Sequence, residues 1–221
     1  MEIHTIILNS KEYQYKLYYK RIKSIYIKVI NNEIVVSAPY TTSLKTIESL
    51  INEYKDKLIS KIDEYEPYAI YKNNGKILIF DQWYTIRLID INERRCAIHD
   101  HQLYVYHHDL IKTIDSYLKQ LLLDYIEERI IYYLSRDFDL DMPSIQVKRY
   151  KSKWGCCYYK ENKVSFHLSL IHLDKELIDY VIVHELTHFI EANHSSKFYK
   201  EVEKRIPDYK IRIKKLKEKH I

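Results

Sequence analysis

Apolar and polar residues alternate through the first forty positions, and the alternation sharpens after Lys23. Period-two alternation marks half-buried strands. It predicts weak strands over residues 2–8 and 12–18 and stronger ones over 24–30 and 33–38, where Ile25, Ile27, Val29, Ile34 and Val36 share the pattern. Asn31-Asn32 between the stronger pair suits a tight hairpin, because asparagine tolerates positive φ. After Pro39 the period changes to helical. Ser43 is an N-cap, and Leu44, Ile47, Ile51, Tyr54, Leu58 and Ile62 predict one helix over 43–65, stopped by Pro67. A second β region comes next, with Ile77–Phe80 and Trp83–Ile89 flanking Asp81-Gln82, then Cys96–Ile98 and Leu103–Tyr106 flanking Asp100.

From about Leu110 to Ser135 the stripe Ile114, Leu118, Leu121, Leu122, Tyr125 and Ile126 predicts a long helix. Ile145–Tyr150 and Lys163–Leu168 read as strands. Between them Gly155, one of only two glycines, marks a bend or a close backbone approach. Asp174 N-caps a helix placed at 175–193. Ser195 or Ser196 caps the next, with Phe198, Val202 and Ile206 as its stripe, and a basic helix comes after Pro207. The sequence shows no internal repeat. It divides into a β-rich region, residues 1–107, containing the one helix, and a region of residues 108–221.

The helix at 175–193 carries the most specific pattern in the chain: His184-Glu185-Leu186-Thr187-His188, with His194 six residues on. Residues four apart on an α-helix lie above one another, so His184 and His188 can direct imidazole nitrogens at one ion. Glu185 falls beside that ion, in position to accept a proton from water. A catalytic zinc takes three protein ligands and keeps one position open. Asn193 tolerates the left-handed conformation that ends helices, which would return His194 to the metal as third ligand. Glu191 is the rival for that place, on the face of His184 but about 10 Å along the axis. On the wheel Ile178, Ile182, Leu186, Phe189 and Ile190 form a core arc, and Tyr180, His184, His188 and Glu191 a polar one. Tyr180 is therefore a candidate to orient a ligand, to donate to an oxyanion, or simply to pack.

Composition narrows the function classes. With 221 residues and 46% apolar content, a core forms without disulfides. No apolar run reaches the roughly 20 residues that span a bilayer, so the expectation is a soluble, cytoplasmic protein with no membrane partner. The scarcity of glycine excludes a P-loop and a dinucleotide fingerprint. Cys96, Cys156 and Cys157 read as free thiols. His99, His101, His107 and His108 invite a second metal site, but they fall at a turn and a strand end without helical or cysteine-assisted ligand spacing, which reads against one. The net charge of +5 gathers at the C-terminus, in Lys210, Arg212, Lys214, Lys215, Lys217 and Lys219. A solvated helix face accounts for this. Nucleic-acid contact is the lesser reading.

Several pieces together resemble a family. Trp154-Gly155-Cys156-Cys157, Ile178–Leu186, Asn193-His194-Ser195, Phe198 and Pro207-Asp208-Tyr209-Lys210 are similar in order and spacing to the YgjP-like zinc metallopeptidases, over about the last 75 residues. Ala38-Pro39 before a helix and Trp83-Tyr84 in a hairpin extend the likeness more loosely. The resemblance implies an α+β fold with a zincin-like core, an active-site helix under a small sheet. It implies one zinc ion on His184, His188 and His194, with Glu185 as catalytic carboxylate. Two positions depart: the family usually has serine at Cys156 and often asparagine at His167. His167 could therefore stand behind the ligands, donate to a transition state, or be a bystander.

The expected function is a zinc peptidase acting on polypeptide, which would pair with a strand edge over residues 163–168. One alternative is a metal-dependent hydrolase of a small molecule or nucleotide. Another is a zinc-containing module that binds nucleic acid or a partner.

Overall fold

A computed structural model describes residues 1–30, 32–63 and 67–219. The chain divides into two compact units, Met1–Pro67 and Tyr68–Lys219. The first contains strands β1 (Glu2–Leu8), β2 (Lys11–Lys20), β3 (Tyr26–Ile30) and β4 (Glu33–Pro39), then helices α1 (Leu44–Glu53) and α2 (Lys55–Asp63). Strand order is β1-β2-β4-β3, with β2 and β4 parallel and the outer pairs antiparallel. Alternate residues Leu8, Tyr15, Leu17, Ile34, Val36 and Ala38 turn to one face and bury against Ile47, Ile51 and Leu58 of the helices. Ser43 caps α1 by accepting the Thr46 N–H. The single helix expected over 43–65 is interrupted at Tyr54, although backbone bonds from Tyr54 N–H to Leu50 and from Leu58 N–H to Tyr54 bridge the break. Asn31 of the expected hairpin and Tyr65 of the expected helix lie outside the described residues.

The second unit opens with β5 (Lys76–Ile79), β6 (Gln82–Leu88), β7 (Cys96–His99) and β8 (Gln102–Val105). Its strand order, β5-β6-β8-β7, with β6 and β8 parallel, has the pattern of the first sheet. The architecture thus repeats although no sequence repeat is visible, because pairing order is set by backbone edges and not by residue identity. Left-handed pairs Phe80-Asp81 and Asp100-His101 make the two tight turns. Backbone contacts tie this sheet to the segment before the histidine-bearing helix: the Phe80 N–H donates to Ile171 O at 2.7 Å and His172 Nδ1 lies 2.7 Å from Leu78 O. Ile77, Ile79, Ile86, Leu103 and Val105 join one core with the C-terminal helices. The packing unit therefore begins at Tyr68, whereas the sequence division falls at 107/108.

Helix α3 (Leu110–Arg136) buries Ile114, Leu118, Leu122, Ile126 and Ile130 as a stripe at fourfold spacing. A three-stranded sheet comes next: β9 (Ser144–Lys148), β10 (Gly155–Tyr158) and β11 (Lys163–His167). Its order is β10-β11-β9, so β11 is central and paired on both sides. That overturns residues 163–168 as a substrate edge: their backbone groups are already committed to the ladder. The edge strands are β9 and β10, and it is β10 that packs on the histidine-bearing helix. Sequence periodicity does not register β10 because it is only four residues long. Helices α4 (Lys175–Thr187), α5 (Ser196–Arg205) and α6 (Tyr209–Glu218) complete the unit. The fold class is α+β, with the histidine-bearing helix packed on a small sheet.

Asp179 fastens α4 to α3. Its carboxylate takes three contacts from Arg129, at 2.7–3.1 Å, and accepts the Tyr125 hydroxyl at 2.8 Å and the Tyr133 hydroxyl at 3.2 Å. Removing one partner of such a shielded network leaves the others unpaired. Asp179→Ala is expected to lower unfolding free energy by about 2–4 kcal/mol in urea titration. Asp179→Asn, which keeps part of the hydrogen bonding, should cost less.

Candidate metal centre

Asp174 starts α4 by accepting the Leu177 N–H at 2.9 Å. The helix is buried on nearly every side: Ile178, Ile182, Val183 and Leu186 have no exposure, and Tyr180 and Glu185 are buried too. Of the polar arc, Tyr180 is buried, while His184, His188 and Glu191 are partly exposed. The helix stops at Thr187, six residues short of the expected end, with turns closing from Phe189, Ile190 and Glu191 back to Leu186 and Thr187. Ile190 consequently leaves the core arc and is exposed. The chain then reverses without a left-handed residue, Asn193 included.

The reversal brings His194 onto the helix end. Ligand atoms of His184, His188 and His194 all lie within 4.8 Å of one another, and the Nε2 atoms of His184 and His194 are 2.9 Å apart. Phe198 supports all three, its ring centroid 4.8–4.9 Å from each imidazole. Ser195 fixes that support, its hydroxyl accepting the Lys197 and Phe198 N–H groups as the N-cap of α5. In the sequence Phe198 reads as part of a core stripe and as one piece of the family resemblance. The signal for its second role is its spacing, four residues after His194.

The donor chemistry fits a divalent metal. Burial and the neighbouring imidazoles push the His184 pKa down to about 3, and burial lowers that of His188. Both rings are thus neutral, with lone pairs to share. Metal-binding histidines usually have their second nitrogen tethered. Here Tyr180 Oη lies 3.3 Å from His184 Nδ1, and the backbone of Glu191 and Ala192 hydrogen-bonds the His188 ring. Of the two candidates for third ligand, His194 stands in the cluster. Glu191 meets His188 through its backbone. Among the described residues the cluster has three members, the number of protein ligands in a catalytic zinc site.

Glu185 points toward β10. A Cβ added to Gly155 would lie 2.6 Å from Glu185 Oε1 and 2.7 Å from its Cγ, so only glycine permits this approach. The Cys157 backbone hydrogen-bonds the carboxylate, a contact that nothing in the sequence announces. Burial raises the Glu185 pKa to about 8, while the Cys157 bond and the Lys153 ammonium pull it down. A dication nearby would add a larger pull in that direction. His167 takes no part in the cleft. Its Nδ1 accepts the Ser169 N–H and its Nε2 donates to Tyr150 O, both at 2.8 Å, so both nitrogens serve the backbone.

A cleft of about 480 Å³ opens over the cluster. Trp154, Gly155, Cys156 and Cys157 line one part, Tyr180 and Val181 another, and Leu216 of α6 also reaches it. The unpaired edge of β10 borders this space. The histidines at 99, 101, 107 and 108 are used elsewhere: His99 pairs with Asp100 at 3.0 Å, and His107 stacks on His108.

Residues 23–219 match the family model described as YgjP-like, metallopeptidase domain. No curated protein matches the chain. Among solved structures it is similar to the metallopeptidase zymogen of Pyrococcus abyssi abylysin, at 20% identity and a TM-score of 0.39, over 43% of this chain and 98% of that one.

The Gly155 contact yields a sharp expectation. Gly155→Ala should displace the Glu185 carboxylate while leaving the three histidines in place. Bound metal, measured by elemental analysis, is expected to match the wild type, with peptidase activity down at least about tenfold. Wild-type activity in this variant would show that the close approach is dispensable.

Proposed function

The chain belongs to the YgjP-like metallopeptidase family, and from that premise we propose that it is a zinc peptidase using His184, His188 and His194 as ligands. The observation that carries the reading is the convergence of three imidazoles beside a buried carboxylate, at a cleft bordered by an edge strand. No helix of the described residues is long and apolar enough to cross a membrane.

Bound zinc supplies Lewis acidity, lowering the pKa of water and offsetting charge on a carbonyl oxygen. The rest of the chemistry belongs to side chains of this chain. Tyr180 accepts from Nδ1–H of His184, which keeps the tautomer whose Nε2 lone pair faces the cluster. Glu185 takes a proton from the attacking water and returns it to the leaving amine. Its buried position raises its proton affinity and so suits it to both transfers. The Cys157 N–H holds the carboxylate on the β10 side of the cleft. Substrate backbone pairs with the edge of β10, and its side chains alternate toward and away from the cleft floor.

The free edge of β10 and the open cleft favour polypeptide over a small molecule or nucleotide. A three-member donor set beside a carboxylate favours catalysis over a purely structural zinc. Zinc per chain is expected to fall sharply in His194→Ala and to be retained in Glu185→Gln. The latter should lose about 10²-fold or more of its turnover on an unstructured protein. Chelation should abolish wild-type cleavage, and added zinc should restore it. Full zinc retention in His194→Ala would remove that residue from the ligand set, and nucleotide hydrolysis without proteolysis would move the site to the small-molecule class.

A further inference from the structure

Charge is distributed unevenly around the cleft. Residues 148–163, which contain β10 and its flanks, hold six cations and one anion, and residues 209–219, which contain α6, hold six and one again. With a net charge of only +5, the remainder of the chain is acidic on balance. Both basic elements reach the cleft, the first through Lys153 and β10 and the second through Leu216.

Most of this charge is uncommitted. Arg149 pairs with Asp115, Arg212 with Asp208, and Lys163 approaches Glu161 at 3.9 Å. Lys148, Lys151, Lys153 and Lys160 have no carboxylate partner within 4.0 Å among the described residues, nor do Lys210, Lys214, Lys215 and Lys217 of α6. Lys148 lies over the rings of Tyr150 and Tyr158, at 5.0 and 5.6 Å. Lys153 stands two residues before β10 and lines the cleft itself. Its ammonium is 3.5 Å from Cys156 Sγ, a contact that favours its charged form. The carboxylate that lines the cleft is Glu185, which is buried and turned toward Gly155.

We propose that this site selects polypeptide segments rich in aspartate and glutamate, with Lys153 as the side chain that reads them beside the scissile bond. The inference rests on the peptidase reading above and adds the substrate class. A strand laid on β10 places alternate side chains along the Lys153 side, where acidic groups meet unpaired ammonium and basic ones meet repulsion. The lysines of α6 and of the β9–β11 sheet extend the same field beyond contact distance and draw acidic segments to the cleft. Nucleic acid, the other common polyanion, is less favoured because the charge flanks a strand edge suited to peptide backbone.

The test uses three peptides of equal length with one shared neutral centre and with acidic, neutral or basic flanks, cleaved by the zinc-loaded full chain. The ratio of kcat/KM for acidic over basic flanks is expected to be about five to ten. It should fall toward one as salt is raised to about 0.5 M. Lys153→Glu should move the ratio down by about as much again, while Lys153→Arg should preserve it. Because each ratio is taken within one enzyme preparation, partial misfolding of a variant leaves it unchanged. Anisotropy of the same labelled peptides on the Glu185→Gln protein measures the preference without turnover. Equal rates for all three peptides would overturn the inference and leave the peptidase reading standing. A preference indifferent to salt and to Lys153→Glu would overturn Lys153 as reader. Absence of cleavage with an acidic binding preference intact would instead sink the peptidase reading alone. A single-stranded oligonucleotide bound by this face, with peptide charge immaterial, would give the surface to nucleic acid.

Discussion

Glu185 lies against the backbone of Gly155 at a distance no side chain would tolerate, and the second unit is arranged around that contact. The carboxylate is reached from one side by α4 and from the other by β10. Its position therefore depends on how closely a helix and a strand can approach. α4 is held from behind by the Asp179 network with α3 and by its fully buried residues Ile178, Ile182 and Leu186. β10 is held by its ladder with the central strand β11. Burial makes ionisation of Glu185 costly, and the Cys157 backbone contact offsets part of that cost. The same low-dielectric setting that raises its proton affinity is what a proton-transferring carboxylate requires.

The three imidazoles depend on a second packing constraint. A helix alone can align His184 and His188. It cannot supply a ligand from another direction, and the chain does this by ending α4 at Thr187 and starting α5 at Ser196. Phe198 then serves as a common floor for all three rings. Burial and the neighbouring rings make His184 and His188 poor sites for protons, which leaves their lone pairs available to a dication. Tyr180 lies against Nδ1 of His184, and the backbone of Glu191 and Ala192 tethers the His188 ring.

Around this dry centre the surface is basic, and the contrast matters for any molecule that approaches it. Charges at the cleft rim act at longer range than hydrogen bonds and bias encounter before contact. In the proposed function the edge of β10 binds any extended backbone, so discrimination falls to side chains, and the uncommitted lysines are the groups at hand for it. The two four-stranded sheets share a strand order, yet it is the small three-stranded sheet, through the edge of β10, that borders the cleft above the histidines.

Much of this was legible in the residues. The metal-binding pattern, the caps at Ser43, Asp174 and Ser195 and the stripe of α3 arise from local spacing. Each depends on residues a few positions apart, where helix and turn geometry are fixed by covalent structure. The preference for His194 over Glu191 was already readable in the sequence, but the early end of α4 at Thr187, which a helical wheel takes to continue, was not. The dryness of the Tyr180 and Glu185 side came from elements over 20 residues away in sequence, chiefly β10 and α6. The identity of the free edge was beyond local reading altogether, because Lys163–His167 and Gly155–Tyr158 differ in which partners they find and not in their own alternation. Sequence by itself determined which groups could bind a metal and move a proton. Tertiary structure decided which of them meet, how dry they are and which strand is left open, because those are properties of packing between segments that local sequence does not encode.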